Sequence, residues 1–164
     1  KIGEADTAKA AFAESEKLAD EETDASRKIL LLLDVAGAFN TAELTSEAER
    51  VEGKALEAAK AIENPQARAT SIAEVAAKQV SMKKTDAGKK TFEEAVTVAK
   101  EIPDAEPQAY ALIGIADLMG RCGLKQSGVD TLKIAEKTEE KITAAGVRTS
   151  VKERHDSVRS ALTK

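Results

Sequence analysis

The sequence predicts an all-α fold in which antiparallel helix pairs repeat along one domain covering residues 1–164, with about eight helices. The first observation is composition, because alanine supplies 31 of the 164 residues, against 9 glycines and 3 prolines. Alanine is the strongest helix former, and the aromatic residues that favour sheets make up only 2% of the chain. The second observation is apolar spacing typical of amphipathic helices, and the third is an internal repeat.

The repeat is visible in two segments that read alike, Asn64–Ala69 and Glu106–Ala111, whose starts lie 42 residues apart. Each segment is expected to place a proline, Pro65 or Pro107, at the first helical position, where the missing N–H costs nothing. A period near 40 residues is typical of helical repeat arrays.

Start and stop signals then divide the chain into elements. Helices are predicted over residues 4–20, 24–40, 47–63, 65–81, 86–101, 107–121, 125–145 and 148–162. Apolar residues Ala8, Phe12 and Leu18 are predicted to point inward from the first helix, and the run Ile29–Leu33 is predicted to lie in the second. Short loops between these segments predict antiparallel neighbours.

Caps justify the boundaries of the later helices. Ser46 and Glu49 form a predicted capping box at the start of the third helix, and Asn64 caps the fourth. Pro103 marks the end of the fifth helix, Gly123 takes the C-terminal cap of the sixth, and Gly146 stops the seventh. The eighth helix carries one apolar stripe, formed by Val151, His155, Val158 and Leu162.

The best copy of the repeat consists of Leu112, Ile115, Ala116, Met119, Gly123, Gly128, Leu132 and Ala135. This spacing resembles the tetratricopeptide repeat, in which small residues let two antiparallel helices approach and large residues fill the space between them. The other copies, one with Ile72 and Phe92 and one with Leu32 and Leu56, align only with three and seven extra residues in their turns. Glu52 stands at a small position, and the closing proline of the family is absent. The resemblance implies a right-handed α-solenoid whose first helices line a concave surface.

Six residues are candidates for a binding groove on that surface. Asp34, Glu74 and Asp117 follow a large–small pair in each copy, so stacking is expected to form a ladder of carboxylates beside Tyr110. Lys78 and Arg121 follow two of these acids by four residues, which predicts the pairs Glu74–Lys78 and Asp117–Arg121. The alternative interpretation is a solvated helix face with ordinary ion pairs.

Several chemistries find no support in the residues. The net charge of −4 and the few aromatic side chains give no electrostatic or stacking basis for nucleic-acid binding. With one histidine and one cysteine, neither a zinc site nor a histidine-containing di-iron site is expected. The longest apolar run is far shorter than a membrane span.

Single reactive residues also fit structural roles better than catalytic ones. His155 adjoins Asp156 and Ser157, but neighbouring residues on a helix point in different directions, so an interfacial histidine is expected instead. Cys122 lies at a helix C-terminus, whose dipole raises the pKa of a thiol. The lysine pairs at 83–84 and 89–90 are interpreted as a solvated turn, with a contact patch for an acidic partner as the alternative.

These observations predict a non-catalytic scaffold that binds a protein or a polar or basic peptide, without metal or cofactor. One alternative is a structural or oligomerisation module of a larger or exported protein, and another is an enzyme or metal binder built from carboxylates. Because the chain starts at Lys1 rather than methionine, a processed N-terminal segment is expected, and both a cytoplasmic and an exported protein remain open.

Overall fold

The computed structural model describes residues 2–164, with side chains from Lys9 onward. Regular structure in this part of the chain is entirely helical, as predicted. The helices are α1 (Ile2–Glu21), α2 (Ala25–Thr41), α3 (Thr45–Lys60), α4 (Pro65–Ser81), α5 (Thr85–Lys100), α6 (Ala105–Arg121), α7 (Lys125–Glu139) and α8 (Ala145–Thr163).

The helices repeat with a fixed step. The first helix of each hairpin, here called helix A, begins at Ala25, Pro65 and Ala105, each 40 residues after the one before. The second, helix B, begins at Thr45, Thr85 and Lys125 with the same step. By the same 40-residue step, α1 is equivalent to a helix B, and α8, which begins at Ala145, is equivalent to a helix A.

One turn type closes all three hairpins. The residue after each C-cap has a left-handed backbone, with φ of 60° at Glu43, 65° at Lys83 and 78° at Gly123. In each turn the next amide reaches back five residues, for example from Leu124 to the Met119 carbonyl at 2.8 Å. The left-handed residue itself bonds three residues back, as Gly123 does to Gly120 at 2.9 Å. This is the Schellman motif, and it satisfies the last carbonyls of helix A.

Small residues bring the two helices of a hairpin close together. A Cβ built on Gly88 of α5 lies 2.9 Å from the Ala76 carbonyl oxygen of α4, and one on Gly128 of α7 lies 2.9 Å from that of Ala116. In the first hairpin the same place is held by Ala48, which is fully buried. Small residues at this position therefore allow the two helices of each hairpin to pack closely.

Residues 1–62 form one compact unit, made of α1, α2 and α3. Helices α2 and α3 form the hairpin, and α1 packs on α2, where Phe12 and Phe39 meet edge to face with ring centres 5.2 Å apart. Ion pairs join α1 to α3. Arg50 donates to both oxygens of Glu16 at 2.6 Å, and Lys54 reaches Glu16 and Asp20 at 2.7 Å.

Residues 63–164 form a second compact unit, made of α4 to α8. Two hairpins, α4–α5 and α6–α7, pack through α4 against α6 and through α5 against α6, and α8 covers α6 and α7. Its core includes Ile72, Phe92, Leu112 and Leu132, each at most 1% exposed. The predicted core position of Phe92 is confirmed.

Three predicted boundaries are wrong. Thr45 begins α3 and Leu44 takes its N-cap without a side-chain bond, so Ser46 and Glu49 form no capping box, because the turn at Glu43 fixes where the helix starts. Pro107 is not the first residue of α6, which begins at Ala105. Helix α7 ends at Glu139, and Gly146 lies within α8, because the chain turns back where Ile142 enters the core.

The alignment of the copies is corrected as well. All three hairpin turns have the same length, so no copy needs extra residues. Asp34 and Glu74 are the tenth residues of α2 and α4, whereas Asp117 is the thirteenth residue of α6 and Gly114 is the tenth. The alignment based on the two similar segments is wrong because Pro65 is the first residue of α4 whereas Pro107 is the third residue of α6.

Candidate functional site

An open groove lies between α1 and α2 in the first unit. Its volume is about 400 Å³, and its walls are mainly apolar. The residues that line it are Phe12, Ser15, Leu18, Ala19, Leu31, Asp34, Val35 and Ala38. Asp34, one of the predicted binding residues, is exposed there among mainly apolar side chains, with Ser15 as the other polar residue of the lining.

Exposed leucines distinguish this groove. Leu18 is 58% exposed and Leu31 is 44% exposed, and the neighbouring Leu30 is 52% exposed. Large apolar side chains elsewhere in the described chain lie mostly in the core. Sequence reasoning missed this surface, although five consecutive apolar residues at 29–33 are more than one buried stripe of a helix can hold.

Tyr110 lies in a different cleft, between α4 and α6 in the second unit. The cleft measures about 120 Å³ and is lined by Gln66, Thr70, Ala73, Tyr110, Ala111, Gly114, Ile115 and Leu118. It marks where one helix A packs on the next. Its small volume leaves room for a side chain but not for an inserted helix.

The pairing of Glu74 with Lys78 stays a prediction. Burial raises the pKa of the Glu74 carboxyl. Glu74 is half-buried on α4, so its charge is held partly away from water.

Asp117 has a partner other than the predicted Arg121. Its carboxylate lies 3.6 Å from the Arg154 guanidinium of α8, so the ion pair joins two successive helices A. Arg121 is exposed at the end of α6. The six predicted binding residues thus fall into separate surroundings: Asp34 on the α1–α2 groove, Tyr110 in the α4–α6 cleft, and Asp117 at the contact of α6 with α8.

A buried polar cluster connects α7 to α8. His155 Nδ1 lies 2.5 Å from Glu139 Oε1, and both residues are almost fully buried. Arg159 lies 2.8 Å from His155 Nε2 and 3.1 Å from Glu136. Because a guanidinium can only donate, Nε2 accepts and Nδ1 carries the proton that is donated to Glu139.

This cluster confirms the predicted interfacial role of His155. Its ring bonds Glu139 rather than the adjacent Asp156, and at 2% exposure it offers no surface to a substrate. Burial raises the pKa of the Cys122 thiol, so the direction expected from the sequence is confirmed, with burial rather than the helix dipole as its main cause. No helix among residues 2–164 is long and apolar enough to cross a membrane.

Comparison of the chain with family models, with curated proteins and with solved structures returned no match.

Proposed function

We propose that the protein is a non-catalytic scaffold that binds another protein through its helical repeats. The observation that carries this proposal is the α1–α2 groove, where Leu18 and Leu31 are about half exposed. Contiguous exposed apolar surface is typical of protein-binding sites, because burying it releases water at a gain of about 25 cal/mol per Å².

We further propose that the repeat is tetratricopeptide-like. With the 40-residue step, the pattern Leu112, Ile115, Ala116, Met119, Gly128, Leu132 and Ala135 aligns without insertion to Ile72, Val75, Ala76, Gln79, Gly88, Phe92 and Ala95. The close approach at Gly88 and Gly128 supports this alignment, since these positions need small side chains. The polar Gln79 and the missing proline are departures from the pattern.

A pull-down from the source organism tests the scaffold role. The double variant Leu18→Lys/Leu31→Lys should lose a partner that the wild type retains, and the matched control Thr149→Lys, a surface change on α8, should keep it. Apolar contact is not screened by ions, so the complex should survive high salt. Retention of every partner by the double variant contradicts the proposal.

A second candidate surface carries the polar residues of α4 and α6. Glu74, Asp117 and Tyr110 lie on these two helices, and a basic peptide is the partner that their carboxylates favour. Binding here should weaken at high salt and should be lost in Glu74→Gln/Tyr110→Ala, whereas the leucine variants should bind normally. An oligomerisation module is the remaining alternative, and it predicts a mass that rises with concentration in sedimentation.

A further inference from the structure

The cleft between α4 and α6 has open space at a glycine. Gly114 lines the cleft, and apart from its own helical turn no atom of the described residues lies within 4 Å of a Cβ built on it. At Gly88 and Gly128, by contrast, such a Cβ would lie 2.9 Å from a carbonyl oxygen of the paired helix. Gly114 therefore does not serve the close approach of two helices, and part of the cleft is left unfilled beside it.

An arginine takes the equivalent place in the next contact between helices A. Helix α6 packs on α8 as α4 packs on α6. Arg154 is the tenth residue of α8, and Gly114 is the tenth residue of α6. The Arg154 guanidinium lies 3.6 Å from the carboxylate of Asp117, the thirteenth residue of α6. The contact between two successive helices A thus accommodates an arginine side chain at this position.

Both members of that ion pair are replaced by small residues in the α4–α6 cleft. The residue of α4 that is equivalent to Asp117 is Ala77, and the residue of α6 that is equivalent to Arg154 is Gly114. Two side chains are therefore lost at one place, and a cleft of about 120 Å³ lies there. The space suits one side chain of a ligand.

The lining combines apolar walls with groups that recognise a cation. Ala73 and Ala111 offer apolar contact to the methylene stem of a long side chain. Tyr110 offers an aromatic ring, whose face attracts a guanidinium. The side-chain oxygens of Gln66 and Tyr110 can accept hydrogen bonds from its N–H groups.

A carboxylate stands beside the same cleft. Glu74 follows Thr70 by four residues on α4, so the two share one face of the helix, and Thr70 lines the cleft. Glu74 is half-buried, and burial raises the pKa of its carboxyl. A cation in the cleft would stabilise this carboxylate, since opposite charges attract more strongly where water is partly excluded. Charge complementarity therefore favours a cationic side chain.

We propose that the α4–α6 cleft binds an arginine side chain of a partner protein, in the place that Arg154 takes between α6 and α8. The inference rests on the second candidate surface of the proposed scaffold function and names the side chain which that surface recognises. The guanidinium stacks on Tyr110 and pairs with Glu74. Arginine fits better than lysine because its planar head stacks on rings and donates several hydrogen bonds at once.

A pair of peptides with the same shape and different charge tests the proposal. A flexible heptapeptide of glycine and serine with lysine at both ends carries either arginine or its neutral isostere citrulline at the centre. Titration of the nitrogen-15-labelled full chain, followed by NMR, measures both affinity and location. Wild type should bind the arginine peptide about threefold to tenfold more tightly, and the amide signals of Thr70, Ala73 and Gly114 should move.

Two variants change the cleft in opposite directions. Ala77→Asp supplies the carboxylate that Arg154 meets in the next contact, so it should tighten the arginine peptide about twofold to fivefold and leave the citrulline peptide unchanged. Ser157→Asp, at the equivalent exposed position of α8, is the matched control and should change neither affinity. Ala77→Asp/Gly114→Arg fills the cleft with an arginine of the chain itself and should abolish the preference. Circular dichroism checks that each variant is folded.

The outcomes separate this inference from the broader function. Equal affinity of the two peptides for wild type and for Ala77→Asp overturns the assignment of arginine. Signals that move around Leu18 and Leu31, rather than at the cleft, overturn its location. If neither peptide binds while a pull-down partner still depends on Leu31 or on Glu74, the scaffold function stands and the arginine pocket is wrong.

Discussion

At the residue scale, Glu139 and His155 occupy positions that hold apolar residues in the preceding repeat. The equivalent of Glu139 is Ala99 and that of His155 is Ile115, and both are buried. A carboxylate and an imidazole can stand in for alanine and isoleucine only together, since each satisfies the polar atoms of the other.

This exchange predicts non-additive mutants. His155→Ile alone should destabilise the fold by roughly 3 kcal/mol, because it leaves the Glu139 carboxylate buried without its partner. The double variant Glu139→Ala/His155→Ile restores the residues of the preceding repeat. Its free energy of unfolding should lie within about 1 kcal/mol of that of wild type. Urea unfolding of the single and double variants measures the coupling, and additive losses contradict it.

Glu16 gives the first unit a defined acid response. The hydrogen bond from Arg50, aided by Lys54, holds the pKa of Glu16 at about 2, below its ordinary value of 4.5. The folded state therefore binds the proton more weakly than the unfolded state. The stability from this carboxylate is present above pH 4.5 and is lost as the pH falls from there through about 2.

Glu16→Gln should accordingly cost about 1–2 kcal/mol at pH 7, and the difference from wild type should vanish near pH 2. Denaturant unfolding across this range measures it. Glu14→Gln, on an exposed position of the same helix, is the matched control and should differ little from wild type at any pH. If the free energies of unfolding of Glu16→Gln and wild type differ by the same amount from pH 7 to pH 2, the ion pairs of Glu16 are not the source of the difference.

At the element scale, the hairpin seams depend on glycine. Gly88→Ala should cost about 1–3 kcal/mol, because the new methyl group would lie 2.9 Å from the Ala76 carbonyl oxygen and the backbone must yield. Gly114→Ala is the matched control: no atom lies within 4 Å of its built Cβ, and alanine should stabilise α6 by about 0.5–1 kcal/mol. Thermal melts of the two variants should shift in opposite directions.

The left-handed residue of each Schellman turn leads to a second prediction at the element scale. Lys83 has a φ of 65°, a left-handed conformation that glycine adopts without cost and that Gly123 adopts in the next repeat. Lys83→Gly should therefore stabilise the α4–α5 hairpin by up to about 1 kcal/mol, and Gly123→Ala should destabilise α6–α7 by a similar amount. A lower unfolding midpoint for Lys83→Gly would contradict this assignment of strain.

Local signals predicted most elements but not their exact register. Asn64 and Gly123 act in their own turns, and the sequence identifies both correctly. The sequence aligns Asp117 with Asp34 and Glu74, although Gly114, one helical turn earlier, is their structural equivalent. The alignment is wrong because prolines and alanines recur at several helical positions. The partner of His155 lies 16 residues away in the chain, so no local pattern could indicate it.

At the scale of the whole molecule, burial follows the 40-residue step closely. The residues 71–80 and 111–120 have the same burial pattern at every position. The prediction of one domain stays a prediction, while the chain divides into compact units of residues 1–62 and 63–164. The composition indicated the helices, but the division depends on contacts between residues far apart in the chain.

A whole repeat should therefore be an insertable unit. Duplicating residues 65–104 in tandem adds a helix A and a helix B whose contacts already exist in the second unit, and it should raise the thermal midpoint. Duplicating residues 85–104 alone adds one helix B, breaks the alternation and should lower the midpoint. Equal midpoints for the two insertions would show that the alternation of helices does not govern stability.

The equal turns also bear on how such a gene can change. Recombination between neighbouring copies joins a helix of one to the turn of another, and here the three hairpin turns have the same length and backbone shape. In-frame gain or loss of a coding unit then leaves the hairpin turns unchanged. Descendants of a common ancestor should differ in length by whole multiples of this unit, with shorter insertions confined to the chain ends.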